Sequence, residues 1–334
     1  MSRALQRLSL KHVMSAMSLL VCVSVNIHHA EAQSLDQRFV DRTGRVDVGI
    51  QVKIERFTPA MATQISETGF RFVRFGVWVN AMRDAAYRKR VENAFAAARQ
   101  AGLPVLLTVR STAPLAQADV DASTRNAQLR AAAAALVSVV SRAEDIAGEN
   151  LLAIELWNEP DLSKYWPTGD VDTTFPLYMR EVCADLRHVQ TSAAIVGFGF
   201  ASAPTPGSDS DRLLLSIQLS NPGCIDAVSY HAYGMDALKI QNTSRYVKTR
   251  YRLPTLITEW GVSTAARGGE IGQAAGIANF LSKLSSLLTP LVSIYEWQDT
   301  MNANNARERG FGLLTATGAP KPAYDTALKA LSTP

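Results

Sequence analysis

The sequence predicts an α/β fold closed into a single-domain (β/α)8 barrel, on three observations. From Val46 onward, short apolar runs alternate with longer amphipathic stretches, which is how strands crossing to helices in a parallel sheet read. Eight such pairs fit into fewer than 300 residues, the usual size of a closed barrel. No glycine-rich phosphate loop follows the first strand, where Gly49-Ile50-Gln51-Val52-Lys53 lacks the spacing of a dinucleotide-binding turn; a doubly wound open sheet, the alternative, is the weaker reading.

The elements follow in chain order. The strands are expected at Val46 to Gln51, Phe70 to Val79, Pro104 to Val109, Leu151 to Trp157, Ala194 to Phe200, Ala227 to Ala232, Pro254 to Trp260 and Val292 to Trp297. The first helix has Thr58 as N-cap, Pro59 at its first position and Gly69 just past its end. Tyr87, Val91, Phe95 and Ala98 share one face of the second, which Gly102 and Pro104 end. The third spans about Thr124 to Ala147 and carries the alanine run 131 to 135, a strong helix former. Phe175, Met179, Val182, Leu186 and Val189 form an apolar stripe that reads as core packing, and a final helix is expected from Lys321 to Leu331.

Residues 1–32 differ in character. Arg3, Arg7 and Lys11 precede an apolar stretch from Val13 to Ile27, and Ala30-Glu31-Ala32 offers a small-x-small cleavage site, so an export signal is expected, followed by one domain over 33–334. The apolar stretch is short for a membrane span and is broken by Ser15, Ser18, Ser24 and Asn26, so an uncleaved anchor fits less well. Cleavage removes three basic residues and Glu31, lowering the formal charge from +4 to +2. That net balance points to no acidic partner, and without a basic stripe a nucleic-acid role lacks support. The exported part keeps two cysteines, Cys183 and Cys224, which an oxidising compartment would allow to pair. Its histidines are His188 and His231, with no Cys/His spacing suited to a metal; neither metal nor cofactor is expected. The oligomeric state has no sequence signal.

Barrel enzymes carry their reactive groups at the C-terminal ends of strands. Two carboxylates stand there: Glu159 in Trp157-Asn158-Glu159-Pro160 and Glu259 in Thr258-Glu259-Trp260-Gly261. Strands four and seven face each other across a barrel mouth, which can bring the two carboxyls to about 5 Å, the spacing of double displacement at a sugar carbon. Glu155 and Glu296 lack the Asn-Glu-Pro context and read as interior groups.

These paired motifs resemble the signature of the clan of retaining barrel glycosidases that contains families 5 and 39. The resemblance extends over nearly all of the exported chain and includes Gly312-Leu313-Leu314 and Lys321-Pro322-Ala323-Tyr324. It implies that Glu159 is the acid/base, Glu259 the nucleophile, and Asn158 the partner of the sugar 2-hydroxyl. It further implies that Arg74 orients the nucleophile, that His231 and Tyr233 lie beside it, and that Trp297 is the indole floor under the sugar. Tyr165 and Trp166, in the segment after strand four, are expected to offer aromatic faces to a glycan. The expected partner is an oligo- or polysaccharide. The chain has no room for the accessory sandwich of family 39 xylosidases, which turns the expectation toward compact hydrolases that cut a bacterial exopolysaccharide internally. A family 5-like glucanase or mannanase would share all these residues, and a non-catalytic glycan-binding barrel is the alternative from another class.

Overall fold

The computed structural model describes residues 46–332; the expected export signal lies outside the described residues. Eight parallel strands close into a barrel in sequence order: β1 Asp47–Gln51, β2 Val73–Trp78, β3 Val105–Arg110, β4 Leu151–Leu156, β5 Ala194–Phe200, β6 Ala227–His231, β7 Thr255–Trp260 and β8 Leu291–Ile294. Eight α-helices alternate with them among the described residues: α1 Pro59–Glu67, α2 Ala85–Gln100, α3 Ala122–Ala147, α4 Val171–Leu186, α5 Asp209–Ser220, α6 Ala237–Tyr251, α7 Gly269–Leu281 and α8 Pro322–Leu331. No described helix is long and apolar enough to cross a membrane.

Local chemistry sets the helix starts. The Thr58 hydroxyl accepts from the Met61 N–H and Pro59 opens α1, while Asp84, Asp121, Ser208 and Asp236 accept from backbone N–H groups at the starts of α2, α3, α5 and α6. Each such cap satisfies a donor that the helix itself leaves unpaired.

Outward-facing strand residues meet the helices. Phe75 on β2 packs edge-on to Phe95 of α2 at 5.2 Å between ring centroids, and Trp260 at the end of β7 stacks on Phe280 of α7 at 3.7 Å. Four residues of the predicted stripe of α4 (Phe175, Met179, Val182 and Leu186) are buried, and the fifth, Val189, lies beyond the helix end. Cys183 of α4 is disulfide-bonded to Cys224, in the loop before β6, with the Cα atoms 5.4 Å apart. The barrel axis is polar toward the mouth: Arg74, Thr108, Glu155 and Ser229 are all buried there.

Strand register delivers the site. β1 and β2 align Gln51 with Arg74, and β6 and β7 align His231 with Glu259, so four polar side chains from four strands reach the same end of the barrel.

Candidate active site

Past the end of β4 the chain turns sharply. Trp157 and Glu159 have φ of 89° and 54°, left-handed values that side chains seldom adopt. Three bonds hold the turn: Trp157 N–H to the Val109 carbonyl at 3.0 Å, Glu159 N–H to the Gly199 carbonyl at 2.8 Å, and Trp157 Nε1 to the Tyr165 carbonyl at 3.0 Å. This backbone, unusual for non-glycine residues, aims Asn158 and Glu159 into the mouth, and such strain is typical of functional sites.

A cleft of about 610 Å³ opens there, lined among others by Arg74, Asn158, Glu159, Tyr233 and Glu259. Donor oxygens of Glu159 and Glu259 and a ring nitrogen of His231 all lie within 4.8 Å of one another. His231 sits between the carboxylates, with Nδ1 3.0 Å from Glu159 Oε1 and 3.4 Å from Glu259 Oε2.

Arg74 ties the site to the barrel interior. Nη1 donates to Glu259 Oε1 at 2.6 Å and to Gln51 Oε1 at 2.7 Å; Nη2 donates to Glu155 Oε2 at 2.6 Å and to Asn158 Oδ1 at 2.9 Å. Because Arg74 occupies the Asn158 carbonyl, the Asn158 amide is left to donate into the cleft that the residue lines. Tyr233 donates its hydroxyl to Glu259 Oε2 at 2.9 Å.

Electrostatics follow from these contacts. Burial opposes ionisation of Glu259, but the charges of His231 and Arg74 and the hydrogen bonds from Arg74 and Tyr233 outweigh it and hold the carboxyl below the usual carboxylate range. Glu155, also buried, is held ionised mainly by Arg74. For His231 burial disfavours the cation, and Glu259 and Glu159 overcome it, raising its pKa. Among the described residues, Glu159, His231 and Glu259 are the grouping whose donors could converge on a metal ion. The Arg74 guanidinium, 2.6 Å from Glu259, already supplies the positive charge there and disfavours a second cation.

Two expected residues lie elsewhere. Trp297 is 1% exposed, and its indole packs edge-on to Phe70 and Tyr324 in the core. Period-two alternation would put Tyr295 and Trp297 on one face, but β8 ends at Ile294, so the alternation does not continue. Tyr295 lines the cleft in its place, beside Tyr233 and Phe311. Trp166 is 2% exposed, packed on Trp157 and Phe175 with Nε1 donating to Thr174 Oγ1 at 2.8 Å; its neighbour Tyr165 is the one that faces the cleft. That segment folds back onto α4, so adjacent aromatics serve core and cleft separately. Glu155 and Glu296 are buried as expected, Glu296 against Lys53 and Thr300. Gln51 and Arg110 also line the cleft and were missed, although both end apolar strands and the strand-end rule would have found them.

The sequence profile of the cellulases (glycosyl hydrolase family 5) matches residues 49–288, most of the described barrel. The chain belongs to glycosyl hydrolase family 5. This family 5 barrel is similar in fold to a family 39 glycoside hydrolase from the gut symbiont Bacteroides cellulosilyticus WH2, at 18% identity over 87% of this chain and 64% of that one, with a TM-score of 0.66. It is similar to an exo-β-1,4-mannosidase from Opitutaceae bacterium strain TAV5, at 16% identity over 87% and 61% of the two chains and a TM-score of 0.63. A fungal β-1,4-galactanase aligns at 13% identity over 85% and 99%, with a TM-score of 0.64. The family 5 chain thus spans less than two thirds of the first two structures and nearly all of the third. No curated protein matches it.

Proposed function

We propose that the protein cleaves β-linked oligo- or polysaccharides with retention of configuration, using Glu259 as nucleophile and Glu159 as acid/base. The observation that carries this reading is the 4.8 Å within which the donor oxygens of the two carboxylates lie. Inverting enzymes hold theirs about 6.5–9.5 Å apart to admit a water, and retaining enzymes about 5–5.5 Å.

In the first step Glu259 attacks the anomeric carbon while Glu159 gives its proton to the glycosidic oxygen; the bond to the aglycone breaks and the aglycone leaves as an alcohol. In the second, Glu159 takes a proton from water, whose oxygen attacks the anomeric carbon and releases Glu259 as a carboxylate. Arg74 and Tyr233 each donate to Glu259, orienting it, and the free Asn158 amide fits a contact to the sugar 2-hydroxyl that strengthens as the transition state forms. Tyr295 and Tyr165 provide aromatic faces on the cleft wall.

The reading extends to an exported enzyme that cuts within a bacterial exopolysaccharide. The basic-apolar leader with its small-x-small site supports export, and so does the Cys183–Cys224 disulfide, a feature of oxidising compartments. The extent of the cleft wall, which takes residues from Lys53 after β1 to Glu308 after β8, supports internal cleavage.

The test is a panel of activated 2-deoxy-2-fluoro-β-glycosides followed by peptide mapping. The trapped sugar is expected on the peptide containing Glu259, and the panel reports sugar preference at the same time. Glu259→Ala should lower kcat by at least about 10⁴-fold while keeping the fold. Label on another residue, or near-wild-type turnover of the variant, rejects the assignment.

A further inference from the structure

Arg110, the last residue of β3, is a half-buried cation on the wall of the catalytic cleft. Its guanidinium carbon lies 4.7 Å from the ring centroid of Trp78 and 5.2 Å from that of Tyr165. Lys164 places Nζ 4.3 Å from the same Tyr165 ring. The other cations of the cleft have carboxylate partners: Arg74 has Glu155 and Glu259, Lys53 has Glu296, and Arg307 has Glu308. Arg110 and Lys164 have none among the described residues, and no oxygen accepts from Arg110.

This is an unusual way to keep an arginine. Five N–H donors have lost part of their water without gaining an acceptor, and burial accordingly lowers the Arg110 pKa. A second cation, Lys164, lies over the same tyrosine ring. The two flanking rings hold the guanidinium in place beforehand, so little side-chain freedom remains to be lost on binding. A planar guanidinium so held matches a carboxylate in a two-pronged hydrogen bond. The cleft also holds Glu159 and Glu259, which repel an anionic glycan; the positive charges of Arg110 and Lys164 on the same cleft offset that repulsion.

We propose that Arg110, backed by Lys164, recognises a sugar carboxylate, so that the glycan taken by this cleft is acidic, with a uronate among its units. The inference rests on the glycosidase reading for the glycan's being a substrate; as a statement about binding it can be measured without turnover.

The experiment is isothermal titration of the full chain, carrying Glu259→Gln to stop turnover, with pairs of oligosaccharides that differ only at C6. The pairs are β-1,4-glucuronan against cello-oligosaccharides and β-1,4-mannuronan against manno-oligosaccharides. In at least one pair the acidic member should bind about ten- to a hundredfold tighter, the range of a hydrogen bond to a charged group, with the gap narrowing as salt is added. Adding Arg110→Met should shrink the gap to about threefold or less with little change for the neutral member, and Arg110→Lys should restore part of it. Thermal melts confirm that both variants are folded. Equal or tighter binding of the neutral members, no binding of any acidic member, or a gap that survives Arg110→Met overturns the proposal.

Hydrolysis by the unsubstituted enzyme separates the two readings. Acidic preference in binding with no hydrolysis of any pair counts against the glycosidase mechanism and leaves the role of Arg110 standing. Hydrolysis confined to the neutral series does the reverse.

Discussion

Arg74 and His231 together balance the charge of two buried carboxylates, Glu155 and Glu259, so the electrostatics of the site are also part of its stability. Glu155 and Glu259 are held below their ordinary pKa of 4.5, so the stability they contribute is present above that pH and is lost as pH falls through their depressed values. His231 is held above its ordinary 6.5, so its contribution is complete below that pH and is lost as pH rises through the raised value. The cluster therefore contributes most between 4.5 and 6.5. Arg74→Met strips Glu155 of its arginine ion pair and leaves Glu259 with His231 and Tyr233 alone, and should cost about 3–5 kcal/mol near neutral pH. The loss should shrink toward pH 4, because protonating the stranded carboxyls relieves it; urea melts across the pH range read both effects, and a pH-independent loss would count against this account. At this scale Glu159, Glu259, Asn158, His231 and Tyr233 were legible as polar residues at or just past strand ends, whereas Arg74, at the second position of β2, came from the family resemblance; five of the six line one cleft, and His231 is buried against Glu159. Trp297 and Trp166 were not legible, because a tryptophan near a strand end suits a sugar platform and a core filler equally well.

Among the elements, β5 runs Ala194–Phe200 as the apolar run predicted, and α1 starts at the expected Thr58 cap. The largest discrepancies are in β2, which begins at Val73 rather than Phe70, and in β8, which ends at Ile294 rather than Trp297. An apolar run marks burial, and buried residues flanking a strand extend the run without joining the ladder. The end of β8 is held by Tyr295 N–H donating to the Trp260 carbonyl at 2.7 Å, and this close approach depends on Gly261. A Cβ at Gly261 would lie 2.1 Å from the Tyr295 carbonyl oxygen, a backbone atom that cannot swing aside. Gly261→Ala should thus destabilise by about 1–3 kcal/mol, as overpacking does, and should depress activity further by displacing Tyr295 from the cleft. Denaturant melts and kinetics on one preparation measure both, and an alanine variant with wild-type stability would show that the approach has slack.

For the whole molecule, the disulfide links α4 to the loop before β6 across a sequence separation of 41 residues. Closing a loop of that length restricts the unfolded chain by roughly 4 kcal/mol in the chain-entropy picture, with 2–4 kcal/mol typical in practice. Cys183→Ala with Cys224→Ala should lower Tm by about 5–10 °C while leaving the cleft intact, and a reductant should lower the wild-type Tm similarly. A calorimetric scan of each checks this; no change would remove the disulfide's support for an oxidising compartment. Global charge is a weaker guide than local charge here: the balanced composition pointed away from an acidic partner, whereas the cleft wall carries two cations without carboxylate partners. The amino-acid sequence by itself determined the barrel and the place of Glu159 and Glu259 at its strand ends, because apolar periodicity and the polar residues that end each run are local properties of the chain. Only the tertiary structure decided that Tyr295 and Tyr165 face the cleft while Trp297 and Trp166 fill the core, and that Arg110 has no carboxylate beside it. The direction of a side chain past a strand's end, and the partner it lacks, depend on groups brought together from distant parts of the chain, and no local pattern encodes them.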